Sequence, residues 1–429
     1  MTTYSGGPGP AALPGQRMTP EQLMHFYAGM IARALEQNRL RPIVVPLFDG
    51  PQLRTFAIHL EVGVPAERVE KIASAVALAA HSSTCRIARD HGKLLVEVPK
   101  APEERRKLGA AAVERFTPPT SWHVALGLSV TGQPVWYDLD DPDTAHLAIG
   151  GTTGSGKTVA LRWLLYRLAV QNPPAQLGFV MVDKKGHDLA PYFGKSAHLR
   201  HPIVSNPFDG ARLLAWATGE MDRRLAANQR APKLVVVIEE IGDLLLVNGE
   251  VEGFLTRIAQ VGRAAGVHLV VTTQQPGARS LGDALTNFTA RLLGRVATAT
   301  KTFGAAGRAM TMADLLLGHG DFLLITAGTE TRLQAPLIGG LQYGQIARVE
   351  RVPSLDDELP LVVRLADLQR DPRGRPGREL GEADYQAIEQ ALADGISVGA
   401  LAARFGIGSE RARRLHAAYW KQNGEEDDL

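Results

Sequence analysis

The sequence predicts an α/β protein with a nucleotide-binding core, on three observations. Short Val/Ile/Leu runs (HLAIG, GFVMVD, LVVVIEE, HLVVTT, RLLGRV, DFLLIT) alternate with helical stretches from Ser121 to about Gln342. Near-continuous apolar strands separated by helices indicate a buried parallel sheet. The first run leads into a Gly-rich turn, GGTTGSGKT, and then into a long apolar-periodic stretch. The third run ends in two carboxylates, Glu239 and Glu240. Packing alone does not explain that pair, because unpaired buried acids are costly.

Composition is that of a globular chain, with 45% hydrophobic and 21% charged residues over 429 positions. A net charge of +2 excludes a uniformly basic nucleic-acid glove. Local Arg-rich stretches, RLADLQRDPRGRPGR at 364–378 and RARR at 411–414, can still meet a phosphate backbone, although a solvated surface is the commoner reason for such runs. Cys85 is the single cysteine, which rules out an intrachain disulfide and a cysteine metal cluster. The best apolar run, LVVVIEEIGDLLLV, is interrupted by acids and falls short of the ~20 residues of a membrane helix. No signal peptide is visible, so the expected location is the cytoplasm.

The elements follow in order. Residues 1–17 are Gly/Pro-rich and read as disordered. Thr19-Pro20-Glu21 supplies an N-cap, a Pro at the first helical position and a first-turn acid, starting a helix that runs to about Leu40. IVVPLFDG and LRTFAIHLEV read as strands, Pro65 to Ala80 as a helix, and TCRIAR and KLLVEVP as strands around a turn at Asp90-His91-Gly92. These form a small α+β domain within 18–115. The α/β core occupies 116–352, a Pro/Gly/Arg-rich linker 353–380, and a helical domain 381–429.

Residues Gly151, Thr152, Thr153, Gly154, Ser155, Gly156, Lys157 and Thr158 match GxxxxGK[ST] in full, between a strand and a helix. Glycines let backbone N–H groups converge on phosphate oxygens, and the helix N-terminus adds roughly half a positive charge. Lys157 would reach the β- and γ-phosphates of ATP, and Thr158 would ligate Mg2+. Glu239 is assigned to the metal through water and Glu240 to the attacking water, an assignment that could be exchanged. Gln274, after the strand HLVVTT, would hold the water or sense the γ-phosphate, since open α/β sheets bind ligands at the carboxyl ends of their strands.

Several motifs carry a family resemblance. PVWYDL precedes HLAIGGTTGSGKT; VMVDKKGHDL holds Asp183 and Lys185; EMDRR at 220–224 precedes VVVIEEIGDLL; and RIAQVGRAAGVHLVVTTQQP is followed by LLLGHGDFL. Over residues 43–350 the chain resembles the motor of FtsK/SpoIIIE-type DNA translocases, in the FtsK–HerA group of P-loop ATPases. The small module at 41–100 is similar to the domain preceding that motor. The resemblance implies a RecA-like core, ATP hydrolysis with Mg2+, and a homo-hexameric ring that pumps double-stranded DNA. It also implies an arginine acting on the neighbouring subunit's nucleotide, for which Arg263 is the candidate and Arg257 and Arg291 the reserves. The chain departs from the family at Glu239, where Asp is usual, at Gln275, where Arg is usual, and in VATATKTFGAAGRAM, which lacks a DSRT-like run. Lys301 and Arg308 are the candidate DNA-phosphate contacts there.

The last residues, DYQAIEQALADG, ISVGALAARFGIG and SERARRLHAAYW, read as three helices with Gly turns, suiting a helix-turn-helix. The third helix would enter the major groove, with Ser409, Arg411, Arg413 and Arg414 reaching bases or phosphates. It resembles the helical part of the winged helix that ends many family motors; a plain three-helix interaction module is the alternative. The expectation is a soluble translocase of chromosomal, plasmid or mobile-element DNA, with a relaxase, recombinase or membrane-pore partner. The rivals are a HerA-like helicase acting at DNA ends and an ATP-switched, sequence-specific DNA-binding regulator.

Overall fold

The protein is described from a computed structural model. It describes residues 18–90, 92–247, 250–274, 288–297, 313–352, 382–405, 412–413 and 415–416. Chain contacts divide into two compact units. The first contains the described residues of Met1–Gln171, Gln274–Gly277 and Thr289–Gln345; the second contains those of Asn172–Thr273, Ala278–Phe288 and Ile346–Leu429.

The first unit begins with helix α1 (Pro20–Gln37). Thr19 caps it as its sequence requires: the Gln22 backbone N–H donates to Thr19 Oγ1, and the Thr19 N–H donates to Gln22 Oε1. The helix stops before Leu40, because Asn38 donates its side chain back to the Ala34 carbonyl and Arg39 turns left-handed. Strands β1 (Ile43–Asp49), β2 (Leu53–His59), β3 (Arg86–Asp90) and β4 (Lys93–Pro99) form an antiparallel sheet in the order β1-β2-β4-β3. The helix expected over Pro65–Ala80 is two pieces, α2 (Glu67–Glu70) and α3 (Ala73–Ala79), separated where Ile72 leaves helical geometry and i→i−3 bonds tighten the chain. Val69 and Val76 still share one core with Tyr27, Ile31, Leu35, Phe56, Ile58 and Val96.

The rest of this unit is α4 (Ala110–Glu114), β5 (His123–Ser129), β6 (Pro134–Asp138), β7 (Leu147–Gly150), α5 (Lys157–Gln171), β11 (Ala290–Leu293), β12 (Asp321–Ile325), β13 (Glu330–Gln334) and α10 (Gly340–Tyr343). Its strand order is β6-β5-β13-β12-β11-β7. β7 and β11 are parallel, as the apolar runs predicted. β12 is antiparallel to β11, and β13 and β5–β6 continue antiparallel. For β12 and β13 the reason lies in their connection. β12 joins β13 across Thr326–Thr329, with Gly328 at φ 113°, far too short for the crossover that a parallel pair requires. Trp163 of α5 lies fully buried and donates its indole N–H to the Ala125 carbonyl, pinning the helix to β5.

The second unit holds β8 (Leu177–Asp183), α6 (Ala190–Phe193), α7 (Pro207–Ala226), β9 (Lys233–Glu239), α8 (Ile241–Val247), α9 (Glu250–Val261), β10 (Val267–Thr273), α11 (Glu382–Ala393) and α12 (Val398–Phe405). β10-β9-β8 are parallel and almost wholly buried, as their apolar composition demands. Asn206 caps α7 and Pro207 occupies its first position. α11 and α12 meet at a turn with Gly395 at φ 77°, and they share a small core of Ile388, Leu392, Leu401, Phe405 and Leu415. No described helix is long and apolar enough to cross a membrane.

Candidate phosphate-binding loop and acidic strand ends

The Gly-rich turn sits where the sequence puts it, between β7 and α5 in the first unit. Gly151, Gly154 and Gly156 take φ of 146°, 81° and 102°, conformations that side chains resist. A Cβ on Gly156 would lie 2.8 Å from the Gly320 nitrogen, so glycine is also required there by close approach. The Thr152 N–H donates to the Arg295 carbonyl at 2.8 Å, and the Ser155 N–H donates to the Thr152 carbonyl at 3.2 Å. Lys157 is buried, and its Nζ donates to the Gly151 carbonyl at 2.7 Å and the Thr152 carbonyl at 3.1 Å. Its ammonium is thus held inside the loop, at the start of a helix whose dipole attracts anions. Thr158, half-buried, follows in the first turn of α5. Gln274 is brought to this loop, where Thr153 Oγ1 donates to its Oε1 at 3.2 Å.

In the second unit, the parallel register sets Asp183 at the end of β8 beside Glu239 at the end of β9. Asp188, on the following turn, completes a trio in which one carboxylate oxygen from each residue lies within 4.8 Å of the other two. Asp183 Oδ2 accepts the N–H groups of Leu189 and Ala190 at 2.8 and 3.1 Å, capping α6. Among the described residues, Asp183 Oδ1 and Glu239 Oε2 are buried with no hydrogen-bond partner. Buried carboxylate oxygens without partners fit a cation ligand set. Lys185 Nζ faces the trio, 3.1 Å from Asp188 Oδ2 and 3.6 Å from Glu239 Oε1. Burial pushes the Glu239 carboxyl up to about 7; Lys185 opposes this, and the charges of Asp188, Asp183 and Glu240 add to it. Burial likewise pulls on the Lys185 ammonium, but Asp188 and Glu239 outweigh it and hold its pKa above the usual lysine value.

Glu240 stands at the sharp turn from β9 into α8, with φ 59°. Such a conformation in a non-glycine residue costs on the order of 1–3 kcal/mol and persists where the surroundings enforce it. Two threonines of β10 do so: the Glu240 N–H donates to Thr272 Oγ1 at 3.1 Å, and Thr273 Oγ1 donates to Glu240 Oε1 at 3.4 Å. The two glutamates that end one apolar run therefore differ sharply, Glu239 buried and Glu240 half-buried on a strained turn.

Arg263 is exposed on the turn Gly262–Ala265, just before β10 begins. It lies at the opposite end of β10 from Thr272 and Thr273, so it does not meet Glu240 within this unit. Arg257 pairs with Asp222 at 2.8 Å on an exposed surface, and Arg291 lies within β11. Arg413 is exposed in a helical stretch. Lys301, Arg308, Gln275, Ser409, Arg411 and Arg414 lie outside the described residues. Asp183, Lys185 and Asp188 were not predicted as site residues. The signal was present in GFVMVDKKGHD, an apolar strand ending in an acid, as LVVVIEE does.

The FtsK/SpoIIIE family model matches residues 111–229 and 225–278. The chain is 31% identical over 411 residues to the DNA translocase FtsK of Lactiplantibacillus plantarum, covering 85% of this chain and 50% of that protein. It is 29% identical over 417 residues to the DNA translocase SftA of Bacillus subtilis, covering 89% of this chain and 42% of that protein. The chain thus spans about half the length of the curated relatives it matches. The fold is similar to that of the pCW3 conjugation coupling protein TcpA, solved as a monomer with ATPγS. That likeness has a TM-score of 0.50 at 21% identity, over 73% of this chain and 96% of that one. Residues 111–278 of this chain are a P-loop ATPase domain of the FtsK/SpoIIIE family.

Proposed function

We propose that the protein is an ATP-driven translocase of double-stranded DNA. The observation that carries the reading is the complete GxxxxGK[ST] loop with its buried, inward-held Lys157, in a family whose relatives bear the name DNA translocase.

The loop's backbone N–H groups bind the ATP phosphates, and Lys157 exchanges the Gly151 and Thr152 carbonyls for β- and γ-phosphate oxygens. Thr158, and Glu239 through water, would hold Mg2+, which would supply charge neutralisation on those oxygens. Glu240, fixed through one oxygen by Thr273, orients the attacking water and takes its proton. Gln274, tethered to Thr153, positions that water or reports the γ-phosphate. Arg263, remote from Glu240 along β10, acts on the nucleotide of a neighbouring copy in a homo-hexamer. Such trans arginines are worth about 10³–10⁵ in rate in other NTPases. Lys301 and Arg308 grip the DNA backbone, while Arg411, Arg413 and Arg414 read DNA from the C-terminal helices. Backbone contacts of this kind are independent of sequence and weaken with salt.

The test is ATP hydrolysis by the purified chain, alone and with covalently closed double-stranded circles, beside a Lys157→Ala variant. Stimulation by closed circles that the variant abolishes is expected. DNA binding with no gain in turnover would overturn the motor and leave an ATP-switched regulator.

A further inference from the structure

The motif LLLGHGDFL follows the phosphate loop by some hundred and sixty residues, yet the fold seats it on that loop. Gly318, His319 and Gly320 are three consecutive left-handed residues, with φ of 77°, 52° and 93°. The His319 N–H donates to the Gly154 carbonyl at 3.0 Å, and the Gly320 N–H donates to the Ser155 carbonyl at 2.8 Å. In a trans peptide C=O and N–H point in opposite directions. Holding the Ser155 carbonyl therefore aims the Gly156 N–H away from the turn, as a phosphate cradle requires.

The back of the turn is held as firmly. The His319 carbonyl accepts from Gln52 Nε2 at 3.1 Å and from Gln334 Nε2 at 3.0 Å. A Cβ on Gly320 would sit 2.7 Å from Gln334 Nε2, so the turn is wedged between that side chain and the loop. Asp321 closes it by accepting the Leu317 N–H and both Nε and Nη2 of Arg332. Arg332 in turn binds Glu97 of β4, and Glu97 binds Arg86 of β3. Gln52 and Glu97 both belong to the small N-terminal module.

We propose that Gln52 and Gln334 are positioning residues for phosphate binding, acting through the Gly318-His319-Gly320 turn, so that the small module, through Gln52, helps to set the loop's affinity for nucleotide. This rests on the reading that Gly151–Thr158 binds ATP. The experiment titrates the full chain with a fluorescent ATP analogue, and measures KM and kcat for ATP and thermal midpoints without nucleotide. The variants are Gln52→Met, Gln334→Met, their double, and Lys157→Ala.

Loss of one such hydrogen bond weakens binding on the order of 3–10-fold, with KM rising in step and kcat held. The double variant weakens it further, while both single variants keep a cooperative thermal transition. Affinity within about twofold of wild type in both single variants overturns the inference alone, since each lost bond exceeds that margin. A fall in kcat at unchanged KM, tracking the folded fraction, overturns it too, because that marks a purely structural role. Lack of Lys157-dependent binding in the wild type overturns the ATP reading itself and this inference with it.

Discussion

The two units each bury a cluster of charge, and the clusters are finished to different degrees. In the first, all four oxygens of Glu97 and Asp321 are taken by Arg86, Arg332 and the Leu317 N–H. Burial opposes the Arg332 charge, but Asp321 and Glu97 outweigh it and hold its pKa above the usual arginine value. In the second, Asp183 and Glu239 each keep a buried oxygen with no partner, and burial drives Glu239 toward its neutral form. A closed cluster fixes geometry, whereas an open one is poised to receive a ligand.

Substitutions should separate the two. Glu240→Gln is expected to lower ATP turnover by about 10²–10⁴-fold, the scale of losing a positioned acid–base group, and Glu239→Gln to lower it through weakened Mg2+ binding, both leaving cooperative unfolding intact. Steady-state kinetics beside thermal melts check this, and a turnover loss that merely follows unfolding would break the distinction. Arg332→Met should do the reverse, leaving Asp321 and Glu97 buried without their cation at a cost of about 3–5 kcal/mol in denaturant melts. An unchanged midpoint would mean that water reaches the cluster and that it is not closed.

Dependence on pH sharpens the same contrast from opposite sides. Burial pushes the Glu239 carboxyl from 4.5 to about 7, so folding holds its proton more tightly than the unfolded chain does. That contribution is complete below pH 4.5 and is lost as pH rises through about 7, up to ~3 kcal/mol at ~1.4 kcal/mol per tenfold change. Glu239→Gln should therefore gain stability over wild type at pH 8 and little at pH 5. His146, buried at the entry to β7, is pushed from 6.5 down to about 4 by burial. Its contribution is complete above pH 6.5 and is lost as pH falls through about 4, again up to ~3 kcal/mol. His146→Gln should flatten that acid limb alone. Paired melts across pH 4–9 read both limbs, and parallel slopes in the two variants would contradict the assignment. The smallest effect is expected at Arg257, whose pair with Asp222 is exposed on both sides. Arg257→Ala should change stability by less than about 1 kcal/mol, since exposed ion pairs are screened by water.

Much of this was legible in the sequence. The phosphate loop, its flanking strand and helix, the α1 cap and the buried parallel strands follow from local rules, because glycine spacing, N-cap chemistry and apolar runs act over a few residues. The antiparallel strands at β12 and β13 were less visible, since DFLLIT reads as the same kind of run as HLAIG and only the tight turn at Gly328 marks that β13 runs back along β12. Asp188 went unseen because its place in the trio depends on the turn after β8, not on its neighbours in sequence. Arg332 was equally hidden, as a basic residue on a strand ordinarily faces solvent.

The sequence by itself determined where the GxxxxGK[ST] turn lies and which strand and helix flank it, because that turn needs particular residue types at fixed spacing along one short segment. Only the tertiary structure decided how that segment is held. Gly154 and Ser155 meet His319 and Gly320 across a long separation in sequence, and Gln52 and Glu97 reach the same turn from another module. No local pattern encodes those partners. They follow from the register of strands, which is fixed only once the apolar faces are buried together.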